Sequence, residues 1–319
     1  MNVKRKLRSM VLTTALAAGL LCAGCYGPVP GSSRECIVVD GWERTFLLHL
    51  PPDVDAKEKR ALVIVLHPFT GTGKSMERLT GFSALAEEEN FIVAYPDGHQ
   101  RVWNADPVAP SSILGPPADD VTFIAALIDH LIGTCNVDTG RIYVAGASSG
   151  GLMTHRVGCA LAGRLAAAAS VMITLPEGWQ DAEQLPEPLP FLMVQGTDDP
   201  FFPWQGGTVN QGLFRQSEYQ RAEDSVAFWV RVNKALSPPV SITLPDVDPD
   251  DGTTVFRDIY AAGPGGVEVH FYGVNGGGHT WPGGAETWPK FLVGRTSRDI
   301  HATRIIWDFF KTHSRSSKQ

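Results

Sequence analysis

The sequence predicts an α/β domain, a mostly parallel central sheet flanked by helices on both faces. Two observations carry this. Apolar runs without polar alternation, such as "ALVIVLH" at 61–67 and "PFLMVQG" at 190–196, suit strands buried on both sides. Segments with helical spacing separate these runs, so strands and helices alternate almost throughout. At 43% hydrophobic and 19% charged over 319 residues, the composition is that of an ordinary globular protein with one large core.

The first 24 residues stand apart. Lys4, Arg5, Lys6 and Arg8 precede an apolar run at 10–21, too short for a membrane span, and small residues lead to Cys25. This is the pattern of an export signal. "LCAGC" resembles the lipobox of bacterial lipoproteins, with Cys22 where leucine is usual. The resemblance implies removal of residues 1–24, a lipidated Cys25, and an extracellular or cell-envelope location held to the membrane only through that anchor; the alternative is an ordinary cleaved signal and a freely secreted product. Losing four basic and no acidic residues moves the net charge from −7 to −11. Such a balance opposes nucleic-acid binding through a broad basic surface.

Residues 36–313 read as one domain, expected to be a monomer. "CIVVD" and "RTFLLHL" form an opening antiparallel pair around Gly41-Trp42, followed by the 61–67 strand. A helix is expected over 74–90, a strand over 91–98, and a Pro-, Ser- and Gly-rich loop over 99–118. An amphipathic helix at 119–134 has acidic residues at its start, where the helix dipole favours them. A strand at 141–146, a helix at 151–163, two further strands, a helix at 217–236, three strand-like stretches and a closing helix near 299–313 complete the chain. An oxidising compartment makes disulfides possible. Cys135 precedes the 141–146 strand and Cys159 lies near the end of the next helix, so strand and helix return the chain to one end of the sheet; Cys135–Cys159 is the expected bridge.

The sharpest motif is "YVAGASSGG", Tyr143 to Gly151. It contains G-x-S-x-G around Ser148, directly after a strand and before a helix, which is the context of a nucleophile elbow. A shifted window centres on Ser149, but glycines at both ends favour Ser148. A serine needs a base to take its proton and a third group to orient that base. With such an elbow the chain order is serine, acid, histidine. "GTDDPFFPW" presents Asp198 and Asp199 after a buried strand, and "GVNGGGHTWPGG" presents His279 after the last core strand. A histidine among glycines has no apolar face to pack, so His279 is the best base of nine histidines.

"LHPFTG", "WNAD", "DDVTFI", "GASSGG", "GTDDPFFPW" and "GGGHTWPG" occur in that order. Together they resemble the bacterial poly(3-hydroxybutyrate) depolymerase-like esterases, close to the feruloyl and acetylxylan esterases of the first carbohydrate esterase family. The resemblance spans roughly residues 40–310. It implies an α/β-hydrolase fold, a Ser148–His279–Asp199 triad with Asp198 as the second choice of acid, and no cofactor. The oxyanion hole it implies is the N–H groups of Phe69 and Ser149. The substrate would be a small-molecule or polymeric ester, of polyhydroxybutyrate type or the feruloyl and acetyl esters of plant polysaccharides. A silent hydrolase-like surface binding protein and a serine peptidase share these features. The chain departs from the family where His-Gly is usual, at His67-Pro68 and at Gln195-Gly196.

"VIVLHPFTGTGKS" nearly matches a phosphate-cradling loop, but its first glycine position is Pro68. Proline donates no N–H and is a poor start for an anion cradle. Lys74 and Ser75 are therefore expected to begin a helix. Phe69, Trp103, Phe201, Phe202, Trp204 and Trp281 lie in loops expected on the catalytic face, either lining a pocket or packing the loops together. "DVDPDDG" at 246–252 fails the EF-hand pattern at its sixth and twelfth positions and reads as an acidic turn. No metal-ligand spacing is present.

Overall fold

A computed structural model describes residues 31–52, 58–107, 116–179, 187–210 and 216–315. The expected signal and Cys25 lie outside the described residues. Strands β1 (Ser32–Val39) and β2 (Trp42–His49) form a hairpin. Val39 faces Trp42, so the turn is Asp40-Gly41 rather than Gly41-Trp42. Both turn residues have positive φ, 51° and 79°, as the two-residue turns favoured by twisted hairpins require.

Strand β3 (Arg60–Leu66) leads into α1 (Gly73–Thr80) and α2 (Phe82–Glu89). The single helix expected over 74–90 breaks at Gly81, which takes φ 68° and caps α1. At the start of α1 the Thr72 hydroxyl accepts the Ser75 N–H, while the Ser75 hydroxyl accepts the Thr72 N–H. Reciprocal capping of this kind explains the "TGKS" residues without a phosphate. Next come β4 (Ile92–Pro96), α3 (Asp120–Thr134), β5 (Val137–Ala147), α4 (Ser149–Leu161), β6 (Ala167–Val171) and β7 (Phe191–Gly196). The segment expected as a helix from 217 begins instead as a strand. Strand β9 (Gln216–Tyr219) pairs with β8 (Gly207–Asn210), and α5 (Ala222–Val232) starts three residues later. Pairing with β8 outweighs local helical spacing there. Strands β10 (Val240–Thr243), β11 (Thr254–Tyr260) and β12 (Val269–Asn275), the single turn α6 (Lys290–Val293) and α7 (Ala302–Phe310) complete the chain.

Among the described residues ten strands form one sheet in the order β1-β2-β4-β3-β5-β6-β7-β12-β11-β10. The run from β4 to β12 is parallel, with antiparallel strands at both edges. Successive side chains of a strand face opposite sides, and β3 shows it. Leu62, Ile64 and Leu66 join a core with residues of α3, α4 and α5, whereas Ala61, Val63 and Val65 join a second core with α1, α2 and α7.

The expected Cys135–Cys159 bridge is not present, and no disulfide joins Cys36, Cys135 and Cys159. Cys135 caps α3 with its thiol beside the Thr134 hydroxyl, 3.5 Å away. Cys159 lies on the face of α4 that is buried in the core. Sequence spacing brings both residues to one end of the sheet but does not align their side chains, and disulfide geometry is exacting. Among the described residues no helix is long and apolar enough to cross a membrane.

Candidate active site

The carboxyl ends of β3, β5, β7 and β12 carry the loops in which the sequence placed its candidates. Ligands of parallel α/β sheets bind at these ends.

At the end of β5 the chain turns into α4 through Ser148, whose φ of 55° and ψ of −122° belong to neither strand nor helix. The neighbouring glycines are sterically required. A Cβ on Gly146 would lie 2.2 Å from the Gly150 carbonyl oxygen, and one on Gly150 would lie 2.3 Å from Leu66 O and 2.5 Å from His67 O. Close approach of the three backbones lifts Ser148 above the sheet, at 7% exposure. Ser149 is the first residue of α4, so its N–H is one of the unbonded donors at a helix start.

Asp199 and His279 are joined. Their loops interlock through Asp198 N–H to Gly277 O at 2.9 Å and Gly276 N–H to the Thr197 hydroxyl at 2.8 Å. A Cβ on Gly278 would meet Val293 O at 2.1 Å, so the glycine run lets the His279 loop lie against α6. There the His279 N–H donates to Val293 O at 2.6 Å. His279 Nδ1 is 2.8 Å from Asp199 Oδ2. A carboxylate only accepts, so Nδ1 carries the proton and Nε2 presents its lone pair. Asp199 Oδ1 accepts the N–H groups of Phe201 and Phe202 at 2.8 and 2.9 Å. Asp198, by contrast, is 58% exposed and faces Arg295 at 3.7 Å. Ser148 Oγ makes no hydrogen bond to the imidazole in the structure; such bonds commonly tighten only when substrate is bound.

Gln195, where the resemblance expects histidine, lies against the candidate acid Asp199. Its Nε2 donates to Asp199 Oδ2 at 3.2 Å and to Phe202 O at 3.0 Å. Sequence reasoning gave this residue no role, although its unusual identity marked the position.

The other departure lies in the loop after β3. Pro68 O accepts the Gly71 N–H at 2.8 Å, and Thr70 N–H donates to Arg101 O at 2.9 Å. Phe69 N–H donates to no acceptor among the described residues. His67 is fully buried beside Trp103, whose indole N–H donates to His67 O at 2.9 Å. Burial pushes the His67 imidazole down to about 4, so the ring is neutral at ordinary pH.

The loop aromatics separate into two groups. Trp103, Trp281 and Phe202 are buried and pack the loops together. Trp204 is half-buried, with its indole N–H on Glu223. Phe69 and Phe201 are exposed, at 57% and 47%, and the Phe201 ring meets His279 edge-on with centroids 5.0 Å apart. The 246–252 carboxylates act as turn caps: Asp251 accepts the N–H groups of Thr253 and Arg298. Among the described residues no group of three His, Cys, Asp or Glu is placed to hold a metal ion.

The sheet order and the tight turn at Ser148, at the carboxyl end of a parallel strand, are those of the α/β-hydrolase fold, and its relatives make the chain a carboxylic-ester hydrolase. The chain is 32% identical over 286 residues to NocK of Nocardia uniformis subsp. tsuyamanensis, a protein designated an esterase, and the match covers 87% of this chain and 82% of NocK. The chain belongs to this esterase family. It is also 28% identical to feruloyl esterase B of Piromyces equi over 77% of this chain, spanning 44% of that enzyme's length. Among solved structures, an acetyl xylan esterase from Aspergillus awamori superposes with a TM-score of 0.57 at 16% identity, covering 88% of this chain and 99% of that one. This likeness concerns the fold alone. No family model matches the chain.

Proposed function

We propose that this esterase works through a Ser148–His279–Asp199 triad and an acyl-enzyme. The observation that carries the reading is the 2.8 Å bond from His279 Nδ1 to Asp199 Oδ2, which leaves Nε2 as the proton acceptor. Ser148 and Asp199 leave strands two positions apart in the sheet, about 10 Å, an interval suited to an imidazole reaching over from β12. His279 takes the Ser148 proton as Oγ attacks the ester carbonyl. The N–H groups of Phe69 and Ser149 receive the oxyanion, and His279 protonates the leaving alcohol. It then activates water to release the acid, while Asp199 holds the imidazole tautomer and its developing charge.

The substrates in this reading are feruloyl or acetyl esters of plant polysaccharides, or polyhydroxybutyrate-type oligoesters. The names of the relatives favour the first two. The exposed rings of Phe69 and Phe201 beside the candidate site suit an apolar acyl group. The reading includes one domain over 36–313, export with lipid at Cys25, and action as a monomer. A silent binding protein and a serine peptidase are the competing readings.

A fluorophosphonate probe, with kcat/KM on acetyl, butyryl and feruloyl model esters and on a peptide amide, tests the proposal. Labelling at Ser148 with ester turnover is the expected result. No labelling of a folded protein would leave the silent binding protein as the better description.

A further inference from the structure

We propose that His67 is a positioning residue, which aims the Phe69 N–H by locking the plane of the Pro68–Phe69 peptide. The inference rests on the reading of Phe69 as an oxyanion donor. His67 Nδ1 lies 2.8 Å from Pro68 O, and Gly98 N–H donates to His67 Nε2 at 2.9 Å. Each nitrogen therefore has one role: Nδ1–H donates to the Pro68 carbonyl, and Nε2 accepts from Gly98. The low proton affinity of the buried ring keeps this arrangement intact above about pH 4.

The Pro68–Phe69 peptide is trans, since the described cis bond is Ser237–Pro238. In a planar trans peptide the C=O and the N–H point in opposite directions. Two donors, His67 Nδ1–H and Gly71 N–H, hold Pro68 O on one side. The Phe69 N–H must then point to the other side. Proline fixes its own φ, so the peptide plane turns only about ψ of Pro68 and φ of Phe69. The His67 bond acts on that rotation directly. The ring itself is held from outside the loop by Gly98 N–H and by Trp103, whose centroid lies 4.9 Å away. The same loop touches the serine turn, because Leu66 O and His67 O are the atoms against which Gly150 packs. The donor is thereby aimed by a side chain that never meets substrate.

The test compares His67→Leu, which keeps apolar volume and loses the donor, with His67→Asn, whose amide reaches the position of Nδ1. His67→Leu is expected to lower kcat about a hundredfold, the scale of one lost oxyanion donor, with KM within about twofold. His67→Asn is expected to recover most of the loss. A crystal structure of His67→Leu is expected to show the Pro68–Phe69 peptide rotated. An unrotated peptide there would overturn the proposal, whatever the rate. A rotated peptide with unchanged kcat would uphold the hold of His67 on the loop and instead remove Phe69 from the oxyanion hole. If His67→Leu does not fold, His67→Gln replaces it. Its amide reaches Nε2 rather than Nδ1, so activity higher in Gln than in Asn would overturn the proposal.

Discussion

The N–H of Ser148 donates to the carbonyl of Val171, 2.9 Å away at the end of the neighbouring strand, while a φ of 55° holds Ser148 out of the helix that begins one residue later. Left-handed backbone of this kind costs about 1–3 kcal/mol and persists where the surroundings enforce it. The positive φ falls on Ser148 and not on Ser149, which begins the helix. Ser148→Ala is therefore expected to lower kcat/KM on a p-nitrophenyl ester by about 10⁴-fold or more. Ser149→Ala is expected to stay near the parent rate, because its backbone N–H survives. Equal losses in both variants would contradict the proposed frame.

The two adjacent aspartates are expected to differ sharply. Asp199 is buried and accepts from four donors, whereas Asp198 faces solvent and Arg295. Asp199→Asn favours the wrong imidazole tautomer and should lower kcat by about 10⁴-fold. Asp198→Asn removes a surface ion pair, which contributes about 0–1 kcal/mol. A steady-state comparison decides the assignment, and a larger loss in Asp198→Asn would transfer the role.

Gln195→Leu keeps much of the side-chain volume and removes the donor shared by Asp199 and Phe202. Loss of a hydrogen bond to a charged group is expected to cost about 1.5–3 kcal/mol, read as a kcat reduction of at least about tenfold. A parent-like kcat would show that the two backbone N–H groups on Asp199 suffice.

Gly150→Ala tests the close approach of the serine turn to β3. Its new methyl would meet the backbone carbonyls of Leu66 and His67, which cannot rotate away. Overpacking of this kind costs about 1–3 kcal/mol or more. Urea denaturation is expected to show the loss. An unchanged midpoint would mean that α4 shifts freely against β3.

A further buried histidine gives a pH dependence of stability. His155 is pushed down to about 3 by burial, and its Nδ1 accepts the Trp229 indole N–H at 2.7 Å. Between the ordinary value of 6.5 and about 3, the unfolded chain binds a proton at this residue and the native chain does not. Stability therefore falls as pH drops below 6.5, by about 1.4 kcal/mol per pH unit from this residue. His155→Leu leaves Trp229 without its acceptor and should be less stable at pH 7. The gap between parent and variant should shrink by about 2 kcal/mol by pH 5. Urea unfolding at the two pH values measures it, and a constant gap would refute the account.

Local rules reached far into this protein. The apolar runs located the central strands, and G-x-S-x-G between strand and helix located the turn at Ser148. The glycines around His279 marked a histidine in a loop, outside the apolar face of any helix or strand. These signals act over a few residues, through side-chain periodicity and backbone sterics, and so they are visible in one dimension. Other features depended on which groups meet across the sheet. Asp198 and Asp199 are neighbours of the same type, and the structure distinguishes them by burying Asp199 against the Phe201 and Phe202 N–H groups, Gln195 and His279 while Asp198 faces solvent and Arg295. Strand β9 replaced the start of a helix because β8 offered it hydrogen bonds. Cys135 and Cys159 came to the same end of the sheet with side chains directed by a helix cap and by the core, not by each other. His67 and Gln195 take their hydrogen-bond partners, Gly98 and Asp199, from other segments of the chain. Hydrogen-bond partners and buried neighbours are assembled by the tertiary fold, and they decided what local pattern left open.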